Sequence, residues 1–341
     1  MPAICPLCGD PSSQQLSQFC LETAADLFTP QIAADGKYEH MKAVLARLWP
    51  ANEVRVMRCE PCDFGFADPF TAGPAEFYQL EAPDTPYPVT KWEYRRTLQS
   101  LAGSPGLGAQ LLDVGAGKGH FLAQLLDHGW APGQLAATEF SQAGRAAIER
   151  LGVACLPHDM RDLEQANAFD VICMFQVLEH LDGYDTLFAA IARLCRPGAR
   201  LFIAVPNGSR IDFNEKTGLQ QDCPPNHISR WSPRSFQVLA AKYGWVAEQC
   251  EFEPEPALWQ EAAYGAVNRY IRNSHNPGSW AHVTSAYADR GFARSGAGNR
   301  LIKALGMATS ADAWRTALRV AGSSLNGGIP HALWVQLRRQ S

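Results

Sequence analysis

The chain has 341 residues, room for two domains or three at about 150 residues each. Its hydrophobic fraction of 46% and charged fraction of 19% supply a buried core and exclude a disordered or collagen-like chain. No apolar run reaches the ~18 residues of a membrane span. The N-terminus has neither basic flank nor apolar h-region, so no signal peptide is expected and the expected compartment is the cytoplasm. A net charge of −4 argues against a strongly cationic nucleic-acid binder, but it is unevenly spread: from Ala257 onward ten Lys/Arg face three acids, which leaves that part +7 and the remainder −11. Such asymmetry points to an anionic partner or substrate near the C-terminal part, or to a solvated helical surface.

Four of the ten cysteines stand in two Cys-x-x-Cys pairs, Cys5/Cys8 and Cys59/Cys62, within Cys-Pro-Leu-Cys-Gly and Cys-Glu-Pro-Cys-Asp-Phe-Gly. This spacing lets both thiolates of a knuckle face one metal, and two knuckles make a closed tetrahedral all-sulfur site suited to structural Zn2+. Between them a helix is expected over 38–49, with Met41, Leu45 and Leu48 on one face, and a strand over 54–57. Cys155, Cys173 and Cys195 lie in apolar stretches and read as core.

After the Pro-rich link around Pro83, Pro86 and Pro88, a helix over 89–101 precedes a βαβ alternation. Strands are expected over 110–114, 135–138, 153–156, 169–174 and 199–205. Helices are expected over 120–128, from the cap Ser141 to about 151, and over 185–194. This alternation predicts a parallel sheet with helices on both faces. The turn Gly115-Ala116-Gly117-Lys118-Gly119 lets backbone approach a ligand closely. It departs from the dinucleotide fingerprint, because position 120 is His where the third glycine would fall. Asp113 precedes the turn, and Glu139 ends the second strand, where a carboxylate can accept from two ribose hydroxyls.

These elements, with Pro157-His158-Asp159-Met160, Gln176-Val177-Leu178-Glu179-His180 and Leu194-Cys195-Arg196-Pro197-Gly198, resemble class I S-adenosylmethionine-dependent methyltransferases over roughly residues 90 to 255. The resemblance implies a Rossmann-like seven-stranded α/β sheet. It implies a cofactor site of Asp113, Gly115, Gly117, Gly119, Glu139, Phe140, Asp159, Met160 and Gln176, with Phe140 on the adenine face. Ubiquinone-type O-methyltransferases are similar around Val-Leu-Glu-His, and some hold a metal there on two carboxylates and a His. Here Gln176 stands for the first carboxylate, so Glu179 and His180 are expected to orient the loop.

The connection from Pro206 to Pro233 is expected to be a long functional loop. Its segment Asp222-Cys223-Pro224-Pro225-Asn226-His227-Ile228-Ser229-Arg230-Trp231-Ser232-Pro233, with a His ahead of a Ser-Pro helix start, resembles small-molecule and sugar methyltransferases. In zinc-module-bearing nucleotide-sugar C-methyltransferases a His of this region is the base, which makes His227 the candidate base and His180 its rival. A helix over 232–243, a sixth strand over 245–252 and an antiparallel seventh over 331–337 complete the sheet. The expected division is a zinc-binding module at 1–82, a cofactor-binding core at 88–256, a helical insertion covering the substrate at 257–330, and the last core strand at 331–341. In the insertion Trp259, Ala263, Val267, Tyr270 and Ile271 would share a face, as would Trp314, Ala317, Leu318 and Ala321 behind the cap Ser310. The expected reaction is methyl transfer to a small or conjugated acceptor, such as a nucleotide-linked sugar or other anionic metabolite. An RNA methyltransferase with a zinc module and a non-catalytic cofactor-binding interaction protein are the alternatives.

Overall fold

A computed structural model of the chain describes residues 3–29, 36–81, 88–102, 108–216, 220, 222–254 and 329–340. The N-terminal region runs β1 (Ser13–Cys20), α1 (Leu21–Phe28), α2 (Lys37–Leu48), β2 (Glu53–Cys59), β3 (Gly65–Asp68) and α3 (Ala75–Glu81). The apolar face of α2, Met41, Val44 and Leu45, is fully buried against Ala24 and Ala25 of α1 and Val54 and Val56 of β2. The expected helix and strand are therefore present. β1 was not foreseen, because its polar sequence buries little beyond Phe19 and shows no strict alternation.

The second region runs α4 (Trp92–Leu101), β4 (Leu111–Val114), α5 (His120–Asp127), β5 (Leu135–Thr138), α6 (Gln142–Glu149), β6 (Ala154–Leu156), β7 (Phe169–Phe175), α7 (Tyr184–Leu194), β8 (Cys195–Pro206), α8 (Gly208–Lys216), β9 (Ser229–Arg230), α9 (Pro233–Lys242), β10 (Trp245–Phe252) and β11 (Ala332–Arg339). Seven strands form one sheet in the order β10-β11-β8-β7-β4-β5-β6. β4, β5, β6, β7 and β8 pair in parallel, and β11 runs antiparallel to both β8 and β10. This is the expected Rossmann-like α/β sheet. All four residues of β4 are buried, as a central strand covered on both faces requires. Caps set the helix starts: the Gly144 N–H donates to Ser141 Oγ at 3.1 Å, and Ser232 and Ser235 exchange hydrogen bonds around Pro233.

The connection from Pro206 to Pro233 is not the continuous loop expected. It contains α8, whose Arg210, Ile211 and Asn214 are buried, and then β9. β9 leaves the seven-stranded sheet altogether and pairs with β3, closing a second sheet in the order β1-β2-β3-β9. The N-terminal sheet thus takes its last strand from the core. The periodicity around Ser229-Arg230 is too short to reveal a strand whose partner lies more than 160 residues away. The two helical faces expected between 257 and 330 lie outside the described residues.

Candidate active site

The ends of β4, β5, β7 and β8 lie together at the carboxyl edge of the sheet, the place where open α/β folds take ligands. Gly115, Gly117 and Gly119 have φ of +67°, +56° and +75°, the left-handed backbone that glycine adopts without penalty. The Gly115 N–H donates to Thr138 O at 2.9 Å. Glu139 receives the Gly117 N–H on Oε2 at 2.9 Å and the Ser141 N–H on Oε1 at 2.7 Å. One carboxylate therefore ties the glycine turn to the start of α6. A Cβ at Gly117 would meet nothing within 4 Å, so this residue faces open space, whereas at Gly115 it would lie 2.7 Å from Val177.

Asp113 is buried, and burial first, then the Glu139 charge, push its carboxyl up to about 8. Phe140 is 68% exposed, an apolar ring left in solvent beside the turn. Asp159 caps the turn Met160–Asp162 through the Arg161 N–H at 2.8 Å. The Met160 side chain belongs to the core, so this position offers a ligand its backbone rather than its thioether. Gln176 sits at the end of β7 with φ +58°, its Nε2 directed at Glu93 Oε1 at 3.4 Å. An open-faced glycine turn, a carboxylate at the end of β5 and an exposed aromatic ring together fit S-adenosylmethionine.

A cavity of about 700 Å³ adjoins this edge, lined among others by Gln176, Glu179, His180, Asp222 and His227. His227 Nδ1 lies 2.8 Å from Asp222 Oδ1, and both are largely buried. Burial pulls the imidazole down, but the Asp222 carboxylate more than offsets it, and the His227 pKa rises above its ordinary value. Asp222 is correspondingly held below the usual carboxylate range, its partner His227 outweighing burial. His180 behaves oppositely: burial and the nearby His227 push it down to about 3. Its Nδ1 lies 2.6 Å from Asn226 O and 3.3 Å from Tyr78 Oη, a hydroxyl contributed by α3 of the N-terminal region.

Glu179 is completely buried, with no hydrogen-bond partner for either oxygen, and burial raises it to about 7. Ligand atoms of Glu179, His180 and His227 fall within 4.8 Å of one another, a donor set that also suits a divalent cation. The sequence placed Glu179 and His180 together and His227 apart, and the fold brings all three to one point. It missed Asp222 and Tyr78. An acid five residues ahead of the candidate base was the available signal for Asp222, whereas nothing in the sequence ties Tyr78 to His180.

At the other end of the N-terminal sheet, Cys5 and Cys62 Sγ lie 3.6 Å apart, Cys8 and Cys59 Sγ 3.5 Å, and all four within 4.8 Å of one another. Thiolates bound tetrahedrally at about 2.3 Å from zinc stand about 3.8 Å apart, so the cluster fits the ion. Gly9 and Asp63, the residues after each pair, have φ of +80° and +56° and turn both knuckles alike.

Residues 90–249 match the family described as a methyltransferase domain. Among curated proteins the chain is 30% identical over 142 residues to the ubiquinone biosynthesis O-methyltransferase of Hahella chejuensis, covering 37% of this chain and 53% of that one. It is 31% identical over 111 residues to the enzyme of the same description from Caulobacter vibrioides, covering 31% and 44%. The chain thus spans about half the length of these relatives. Among solved structures, phosphoethanolamine N-methyltransferase 2 of Haemonchus contortus, in complex with S-adenosyl-L-methionine, aligns at 17% identity and a TM-score of 0.46, covering 73% of this chain and 53% of that one. The likeness to methyltransferase domains thus falls on residues 90–249, the region that holds the glycine turn, Glu139 and the cavity at the carboxyl edge. No helix among the described residues is long and apolar enough to cross a membrane.

Proposed function

We propose that the protein transfers a methyl group from S-adenosylmethionine to a small anionic acceptor, such as a nucleotide-linked sugar, with His227 as the base. The observation that carries this reading is the Asp222–His227 pair at 2.8 Å, set in the wall of the same cavity that Gln176 lines. The cofactor supplies a methyl group already activated by its sulfonium. The glycine turn, Glu139 and Gln176 hold it at the carboxyl edge, with Asp113, Phe140 and the backbone at Asp159 and Met160 around it. Asp222 pairs with His227 on its Nδ1 side, which leaves Nε2 as the nitrogen to take a proton from an acceptor hydroxyl or acidic C–H. His180, its basicity suppressed by burial, serves as a wall that orients His227 rather than as a second base. Lys91, Arg95 and Arg210 share the cavity wall with Glu93, Glu179, Asp222 and Glu253, so the anionic acceptor is inferred from the +7 charge of the chain from Ala257 onward and not from the wall.

In this reading Cys5, Cys8, Cys59 and Cys62 hold one structural zinc, with no coordination position left for catalysis. A reduced cluster of four cysteines fits a cytoplasmic protein. Residues 1–82 are the metal module, 88–256 the cofactor-binding core and 331–341 the closing strand.

A metabolite screen with methyl-labelled cofactor tests the activity. Label should enter a small anionic product, and label appearing only in RNA would overturn the reading. Elemental analysis tests the metal: about one zinc per chain is expected, lost in Cys59→Ser, and full zinc in that variant would remove the site.

A further inference from the structure

The second knuckle ends at Cys62, and each of the next five residues touches the segment that follows His227. Asp63 O accepts from Ser232 Oγ at 3.3 Å. The Phe64 ring meets Trp231 at 4.7 Å, edge to face. Gly65 pairs with Arg230 and Phe66 with Ser229. The Ala67 N–H donates to Ile228 O at 2.8 Å. Ile228 is the neighbour of His227, and its own N–H donates to Glu179 O at 2.9 Å, so it is clamped between the N-terminal sheet and the turn after β7.

Charges reinforce the seam. Arg58, one residue before Cys59, pairs with Asp212 at 2.6 Å and Asp63 at 2.8 Å, and the buried Arg230 pairs with the same Asp212 at 2.8 Å. The approach is close enough that a Cβ on Gly65 would lie 2.8 Å from the Arg230 Cβ. From a metal-ligand cysteine to the candidate base the path is five residues of chain, one hydrogen bond and one further residue. The glycine turn takes no part in it: its hydrogen bonds run within the turn and to Ala123, Thr138 and Glu139.

We propose that the four-cysteine cluster is the anchor that positions His227. A thiophilic divalent ion closing both knuckles holds residues 63–67 as the strand on which 228–232 is laid. Loss of the ion unseats the base-bearing segment while the glycine turn stays formed. The consequence for turnover rests on the reading of His227 as base, whereas the seating itself can be measured without any turnover.

The test compares full-length protein loaded with zinc, stripped by a chelator, and reloaded. Three readouts are taken: amide exchange at Ala67 and Ile228, the ring titration of His227 by NMR, and affinity for S-adenosylhomocysteine by calorimetry. The His227 resonance is assigned by its loss in His227→Gln. Stripping should speed exchange at both amides by about tenfold or more. It should also return the ring, which Asp222, Glu179, His180 and Arg230 face, to the ordinary value near 6.5. Affinity for S-adenosylhomocysteine should stay within about twofold, and reloading should reverse the other two changes.

Unchanged exchange and titration in stripped protein would overturn the proposal. A parallel collapse of S-adenosylhomocysteine affinity would also overturn it, because the effect would then be general unfolding. Gly65→Val supplies an independent arm, since it obstructs the β3–β9 pairing without touching a thiol. Zinc should remain at about one per chain while exchange and titration shift as in stripped protein. Normal protection of Ile228 in that variant would rule out the strand as the route.

Discussion

The two halves of the site differ in construction. The cofactor half centres on the stretch from Asp113 to Ser141, in which three glycines and a carboxylate shape backbone, and Gln176 and the backbone at Asp159 and Met160 join it from the following turns. The acceptor half is assembled from α3, the turn after β7 and the segment before β9, and its working parts are buried titratable side chains. In the first half the titratable coupling is confined to Asp113 and Glu139, and the remaining ties are backbone hydrogen bonds. In the second, His227 raises its own basicity through Asp222, suppresses that of His180 and opposes the burial of Glu179, so one change resets the others.

That contrast is open to direct attack. The largest effect is expected for His227→Ala, which should lower turnover by roughly 100-fold or more while cofactor affinity, measured by calorimetry, stays at the wild-type value. Near-normal turnover would move the base to His180. Steep, saturable activation by added Mg2+ or Mn2+ would reassign Glu179, His180 and His227 to a cation. In the cofactor half, Glu139→Ala should weaken S-adenosylmethionine binding by about 1–3 kcal/mol, and the His227 ring titration should not move. A change at His227 in that variant would show that the halves are coupled after all.

A smaller effect, about tenfold in turnover, is expected for Asp222→Asn, with the acidic limb of the pH–rate profile moving to lower pH as His227 loses its carboxylate. The same pair sets a stability window. The raised His227 contributes fully below its unfolded value near 6.5 and loses its contribution as pH rises through the folded value. The lowered Asp222 contributes fully above about 3.9 and loses its contribution as pH falls through its folded value. Wild type should therefore exceed Asp222→Asn most between about pH 4 and 6.5, a difference that chemical denaturation across that range would measure.

The same contrast explains what could be read in advance. The glycine turn, the carboxylate ending the second strand and the βαβ alternation are each written in a short local pattern, so each could be read from its own stretch of chain. The two Cys-x-x-Cys pairs are distant from each other, yet each carries its own geometry, and the fold brings them together as expected. Asp222–His227 was half legible, because the base stood out and its partner did not. The contact of Tyr78 with His180 and the pairing of β9 with β3 were not legible. Both depend on segments separated by more than 100 residues meeting through tertiary packing, which leaves no local pattern. At Met160 the place in the motif was visible in the sequence, whereas the burial of its side chain in the core was not.

Gln176 holds a left-handed backbone at φ +58° without being glycine, at the end of a buried strand, with its N–H fixed on Ala204 O at 2.7 Å. Such a residue stores about 1 kcal/mol that a glycine would release. The chain keeps an amide over the cavity where a more relaxed residue would fit, which makes this position a trade between robustness and recognition. Gln176→Gly should raise the denaturation midpoint slightly and weaken ligand binding at the same time. A variant improved in both, by denaturation and calorimetry, would mean that the strain serves neither.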